Sequence, residues 1–259
     1  MVNHGVSAEL VQDMFEAQRQ FFSLPLAAKE EIRSDANNRG YTPMGDETLN
    51  PSESKRPDTH EGLYFGRDLP ADSPECARPL HGPNQWPREA LLPGYKATTA
   101  AYFAALADLG MRTLPVLALS LGLARDHFDA AFSQPMLALR PLHYNAEPSS
   151  VADGVLAAGA HSDYGCLTFL MTDGTPGLQL KSGAEWVDVP QLPGAFITNL
   201  GDMLERWTNG LYRSTLHRVV NTTGRERFSI PFFFEPNFDT VVEALPSVRG
   251  ERCAGGGET

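Results

Sequence analysis

The spacing of apolar positions changes character twice along the chain. Behind Ser7, which is placed to cap a helix, Leu10, Val11, Met14, Phe15, Phe21 and Phe22 recur on one stripe until Pro25 ends the run. A short second helix is expected over Ala27 to Arg33. Residues 36–93 lose this period. Pro, Gly, Asp and Asn crowd around apolar islands such as "GLYFG", which predicts extended loops with little regular structure. A loop region that long in a compact chain points to function, and Tyr41, His60, Glu61, Tyr64 and Trp86 are scattered through it. From Gly94 to Leu121 an Ala- and Leu-rich stretch predicts a long helix that Pro115 should kink or split. A further short helix is expected over Asp126 to Phe132.

After residue 135 the runs become short: "MLALRPLHY", "CLTFLM", "GLQL", "EWVDV", "GAFITNL", "LHRVV" and "RFSIPFFF", separated by Gly, Pro, Asn and Asp. That density of strands and turn residues predicts an antiparallel sandwich or barrel. The expected organisation is a helical and loop region over 1–135 packed on a β core over 136–238, with a tail over 239–259.

Composition narrows the possibilities. The 259 residues are 42% hydrophobic, enough for a sizeable core, and carry a formal charge of -11 with no Lys/Arg-rich block. This argues against a nucleic-acid binder or a polybasic membrane anchor. No stretch reads as a membrane span or a secretion signal, and Asn221-Thr222-Thr223 reads as a turn. Cys76, Cys166 and Cys253 are far apart, which suits a reducing compartment and excludes a thiolate zinc knuckle. A cytoplasmic protein is expected.

Candidate chemistry centres on "HSDYGCLTFL". At the leading end of a strand, His161 and Asp163 would share a face, since positions i and i+2 point the same way. Alone the pair is weak; one occurs by chance in roughly a third of comparable chains. A second histidine on a partner strand would complete a facial set suited to Fe(II) with open positions, zinc being the alternative. His217, in an apolar run, is the candidate for it, and His143 competes. Ten residues past His217, Arg227 and Ser229 again share a strand face and could hold a carboxylate. The turn-like "NTTGRE" between them predicts a hairpin.

The segments "HSDYGCLTFLM", "WVDVPQLPGAFITNLGDMLERWTNGLYRSTLHRVVN" and "RFSIPFFFEPN" together resemble the isopenicillin N synthase-like branch of the iron(II)- and 2-oxoglutarate-dependent oxygenases. "VNHGVS", "NRGYTPMGDE" and "LHGPNQWP" extend the resemblance from about Val2 to Phe238. It implies an α+β, mainly β chain with a double-stranded β-helix (jelly-roll) core and flanking N-terminal helices. It also implies that His161, Asp163 and His217 hold Fe(II), and that Arg227 and Ser229 bind the distal carboxylate of the co-substrate 2-oxoglutarate. Tyr144 would touch the same carboxylate. Asn199 would orient the ligands or the inner carboxylate, or else cap a turn. Leu142 stands where plant members often carry an Asn, so that role does not transfer.

The implied activity is O2-dependent oxidation, hydroxylation first, of a small-molecule substrate with release of succinate and CO2. Arg39, Tyr41, His60, Glu61 and Phe234 are the candidate substrate contacts. Desaturation, ring closure, ethylene formation, a 2-oxoglutarate-independent oxidase and a non-catalytic binding relative are the alternatives. Starting at "VNHG" and ending in "ERCAGGGET", the chain is expected to be a fragment, a mis-called gene product or a genuinely short member, and loss of the family's first strand could expose a sheet edge. The sequence names neither the substrate nor the oligomeric state.

Overall fold

Helix α1 (Ala8–Phe22) begins as expected, with the Ser7 hydroxyl accepting from the Leu10 amide at 3.3 Å. The structure, a computed structural model, describes residues 1–246. Helix α2 (Leu26–Glu30) is shorter than predicted, because the chain leaves it to pair Arg33 and Ser34 with Tyr41. Helix α3 (Tyr95–Ser120) runs through Pro115 without a break. Pro115 deprives the Met111 carbonyl of its helical donor, but Met111 lies on the exposed side, where water can serve it. By length and composition α3 could cross a membrane, contrary to the reading of the sequence. Its buried residues, Leu106, Leu109 and Leu114 among them, join the core formed with α1 and the sheet. Residues 125–132 form successive turns instead of the expected helix, with Phe128 and Phe132 drawn onto Trp207 at centroid distances of 5.4 and 6.0 Å.

The loop region contributes more regular structure than its composition suggests. β1 (Gly40–Thr42) and β2 (His60–Tyr64) join a sheet with β3 (Pro135–Leu139), β4 (Leu142–Tyr144), β6 (Leu167–Thr172), β9 (Ile197–Leu200) and β11 (Arg227–Asn237). The order is β1-β2-β4-β11-β6-β9, with β3 also paired to β11. "MLALRPLHY" divides at Arg140–Pro141, so that β4 pairs with one half of β11 and β3 with the other. The first 135 residues and the β core therefore share a sheet. The second sheet contains β5 (Ala158–His161), β10 (His217–Val219), β7 (Leu178–Ser182) and β8 (Glu185–Asp188), in that order.

The predicted hairpin between His217 and Arg227 does not form. β10 belongs to the four-stranded sheet and β11 to the seven-stranded one, so the chain arches from one sheet to the other. Asn221 stabilises this arch: its Nδ2 donates to the carbonyls of Asn145 (3.0 Å) and Arg225 (2.9 Å). Its Oδ1 accepts from the amides of Thr223 and Gly224, both at 3.1 Å. The expected turn is there, but it joins two sheets. A short helix, α4 (Asp202–Trp207), was not anticipated. Of the tail, Leu245 docks on Trp207 through a 2.8 Å backbone bond, and Cys253 lies outside the described residues.

β11 alternates strictly. Phe228, Ile230, Phe232 and Phe234 enter the core shared with the helices, while Arg227, Ser229, Pro231, Phe233 and Glu235 line a cavity in the β core. The helix side is tight. A Cβ on Gly110 of α3 would lie 2.3 Å from the Phe234 ring, which is itself stacked on Phe132 at 5.1 Å. Gly110→Ala is therefore expected to destabilise by about 1–3 kcal/mol despite the better helix propensity of Ala. A calorimetric melt should show a midpoint about 2–10 °C lower; a raised midpoint would mean that Phe234 yields freely.

Candidate active site

His161 ends β5 and His217 opens β10, and the two are direct partners in the antiparallel register. Their rings lie 4.3 Å apart. Each Nδ1 donates to the carbonyl two residues earlier, His161 to Gly159 and His217 to Thr215, both at 2.8 Å. A carbonyl can only accept, so the proton sits on Nδ1 and each Nε2 presents a lone pair. Burial, reinforced by His217, holds the His161 imidazole below its ordinary pKa, which favours the neutral form that binds metal.

Asp163 does not sit at the leading end of a strand, as the sequence suggested. It lies in the turn after β5, where the Asp202 amide at the head of α4 binds its carbonyl at 2.8 Å. Its Oδ2 accepts from Thr168 Oγ1 at 2.6 Å and from Asn199 Nδ2 at 2.7 Å, two residues paired across β6 and β9. Oδ1 is left facing the imidazoles, 3.9 Å from His161 Nε2 and 3.7 Å from His217 Nε2. The three donor atoms lie within 4.8 Å of one another. Gly201 makes this turn possible, since a Cβ there would meet the Gly165 carbonyl at 2.3 Å.

The triad borders a cavity of about 680 Å³. Arg227 lines the same space and is 1% exposed. Its Nε donates to the Thr175 carbonyl at 3.2 Å, and its guanidinium lies 4.9 Å from the centroid of the Tyr144 ring. Nη1 and Nη2 are buried without a hydrogen-bond partner among the described residues. A buried cation with an unused fork is costly unless an anion completes it. Ser229 Oγ, 3.3 Å from the Tyr144 hydroxyl, is next along the strand face. Two imidazoles and a carboxylate on one side, and an unpaired guanidinium on the other, suit a divalent metal together with a carboxylate-bearing ligand.

Other sequence candidates lie elsewhere. His143 is not a ligand: it bonds Glu61 Oε1 at 2.8 Å and stacks on Phe228 at 4.8 Å. Glu61 also holds Lys29 at 2.7 Å and the Tyr41 hydroxyl, so Tyr41 and Glu61 form a buried network outside the cavity. Burial would raise the Glu61 carboxyl, but hydrogen bonds from His143, Lys29 and Tyr41 bring it below its ordinary value. Phe234 faces the helices, because only odd-numbered positions of β11 face the cavity. His60 and Arg39 do line it. His60 bonds the Ala157 carbonyl at 2.7 Å and Glu47 at 2.8 Å, and Arg39 donates to the carbonyls of Asn37, Asn38 and Leu80.

Sequence reasoning missed Thr168, Glu47, Arg140, Phe233 and Glu235. Counting by twos from Arg227 would have found the last two. Glu47 sits between His60 and Arg140, whose hydrogen bonds and charge outweigh burial and bring it down to about 2.

Similarity to known proteins agrees with this geometry. Residues 133–236 match the 2OG-Fe(II) oxygenase superfamily, and residues 1–89 match the N-terminal family of the non-haem dioxygenase in morphine synthesis. A 2-oxoglutarate-Fe(II) type oxidoreductase of Aspergillus fumigatus is 42% identical over 97% of this chain and 76% of its own length. The chain belongs to the 2OG-Fe(II) oxygenase superfamily. A relative of the same description from Emericella nidulans is 37% identical, covering 95% and 72%. A full-length Neurospora crassa protein crystallised in complex with alpha-KG superposes with a TM-score of 0.84 at 31% identity, over 96% of this chain and 78% of that one. The fold is accordingly the jelly roll of these oxygenases, and the His161/Asp163/His217 set is a metal-binding triad for Fe(II).

His217→Ala and Asp163→Ala should each abolish Mn(II) binding, read by persistence of the free-ion electron paramagnetic resonance signal, while the protein stays folded. Asn199→Ala, which frees one side of the metal carboxylate, should weaken Mn(II) by about 10–100-fold. Unchanged affinity in that variant would mean that Thr168 alone orients Asp163.

Proposed function

We propose that this oxygenase hydroxylates a C–H bond of a small organic substrate, consuming O2 and 2-oxoglutarate and releasing succinate and CO2. The observation that carries this reading is the buried, unpaired fork of Arg227 in the same cavity as the triad. Fe(II) held by His161, Asp163 and His217 supplies the redox chemistry that couples O2 to 2-oxoglutarate and substrate.

The chain's own residues provide position and polarity. Thr168 and Asn199 keep Oδ2 of Asp163 engaged, so that Oδ1 serves the metal. The Thr175 carbonyl fixes Arg227 through Nε and leaves both Nη groups for a bidentate grip on the distal carboxylate of 2-oxoglutarate. Ser229 and Tyr144 offer hydroxyls to the same group. Leu170, Leu178, Ile197 and Val219 line the cavity and suit the methylene chain between the two carboxylates while excluding water. No side chain is required as a general base. Free thiols at Cys76 and Cys166 suit action in a reducing cytoplasm.

Family membership does not by itself select the substrate. The Neurospora crassa protein has also been crystallised with thymine, and a 33% identical relative from Glycine max is named a homoarginine-6-hydroxylase. These ligands differ in shape and charge. Specificity must then reside in the walls of the cavity beyond the 2-oxoglutarate pocket.

Anaerobic titration with Fe(II) and 2-oxoglutarate should produce the weak visible charge-transfer band of the chelate, and its absence would overturn the reading. Arg227→Met should remove the thermal stabilisation that 2-oxoglutarate gives and raise its dissociation constant at least about 30-fold. Without 2-oxoglutarate the same variant should melt no lower than the wild type, since it replaces an uncompensated buried cation by an apolar chain.

A further inference from the structure

The charged groups that line the cavity can be sorted by what already satisfies them. Arg140 is ion-paired with Glu47 at 2.9 Å, and Glu47 also meets His60 at 2.8 Å. Arg39 spends both Nη groups on the carbonyls of Asn37, Asn38 and Leu80, and so presents no fork to a ligand. The triad and Arg227 belong to the metal and the co-substrate. Glu235 remains. Among the described residues its carboxylate has no hydrogen bond and no ion pair, yet it lines the cavity and is half-buried.

Its position is built. Gly165 packs directly under it: a Cβ there would lie 2.6 Å from Glu235 Cγ and 2.7 Å from Oε1. Along β11, Glu235 and Arg227 lie on opposite sides of the position level with Thr168, the residue that binds Asp163. Thr168, which binds Asp163, is in register with Phe233, and Glu235 is two positions further along β11, about 7 Å at strand spacing. Arg227 and Ser229 lie the other way along the same face. Tyr64 lines the cavity on its Arg140 side, its ring 4.0 Å from that guanidinium, and so leaves Glu235 as the charged group at this end. Phe233 and Met136 supply apolar wall between these polar groups.

We propose that Glu235 is the specificity-determining group of the substrate chamber and receives an N–H-bearing, preferentially cationic, nitrogen of the substrate. A small molecule anchored there through its nitrogen lies along Phe233 and presents a C–H on its opposite end to the metal. A carboxylate-bearing substrate is disfavoured at this end, because it would meet the like charge of Glu235. This inference rests on the oxygenase reading, and its test separates the two.

The test uses the Fe(II)- and 2-oxoglutarate-loaded protein under anaerobic conditions, titrated by calorimetry with benzamidine, benzylamine, benzamide and benzoate. The amidinium or ammonium probe should bind wild-type protein more tightly than benzamide, with benzoate weakest. Glu235→Gln, which keeps the shape and removes the charge, should weaken the cationic probes at least about tenfold and leave benzamide nearly unchanged. Benzoate binding as well as benzamidine, no binding by either cationic probe, or cationic binding indifferent to Glu235→Gln would each overturn the proposal. The 2-oxoglutarate titration of the same samples reports the oxygenase reading separately: a normal charge-transfer band with failed probes sinks only the substrate inference.

Discussion

β11 has to satisfy two environments at once, and most of the molecule follows from how it does so. On one face its Phe and Ile side chains close the core against α3, so tightly that a Cβ at position 110 would run into the Phe234 ring. On the other face the same strand lays out a cation, a hydroxyl, an apolar stretch and a carboxylate in a row beside the metal triad. The period of two keeps these sets apart. A slip of one residue would bury Phe in the cavity and drive Arg227 into the helices. The helix packing therefore fixes the register that fixes the site.

The triad depends on short-range bonds more than on distant ones. Each histidine is oriented by a carbonyl two residues back, which needs only the local strand end. Asp163 is different, because one of its oxygens is held by the seven-stranded sheet while the histidines stand on the four-stranded one. The metal centre thus spans the gap between the sheets, and a bound ion would tie them together. Coupling of this kind makes metal affinity a report on how the sheets are docked.

Charge without a countercharge marks the two ends of the β11 cavity face. Arg227 retains two buried nitrogens without partners among the described residues, and Glu235 retains a half-buried carboxylate that burial and Asp163 push up to about 7. The Arg227 fork is costly unless an anion completes it, and a cationic ligand would hold Glu235 in its ionised form. By contrast, Glu61 gathers Lys29, Tyr41 and His143 and Glu47 gathers His60 and Arg140, so those buried charges are closed structural units. Sorting buried charges by what completes them separates ligand-binding groups from scaffold.

The order His-x-Asp, distant His, Arg-x-Ser was legible in the sequence because each pair is local, and local spacing survives whatever fold surrounds it. The strands after residue 135 were legible for the same reason, since alternation and turn residues act within a few positions. What the sequence could not decide was the pairing. β10 and β11 read as a hairpin but stand on opposite sheets, and β1 and β2 read as loops until β4 offered them an edge. Tyr41, Glu61 and Phe234 were credible cavity residues by composition, and the tertiary structure turned them elsewhere. Side-chain direction depends on which face of a strand the core claims, and that is settled by contacts far apart in the chain.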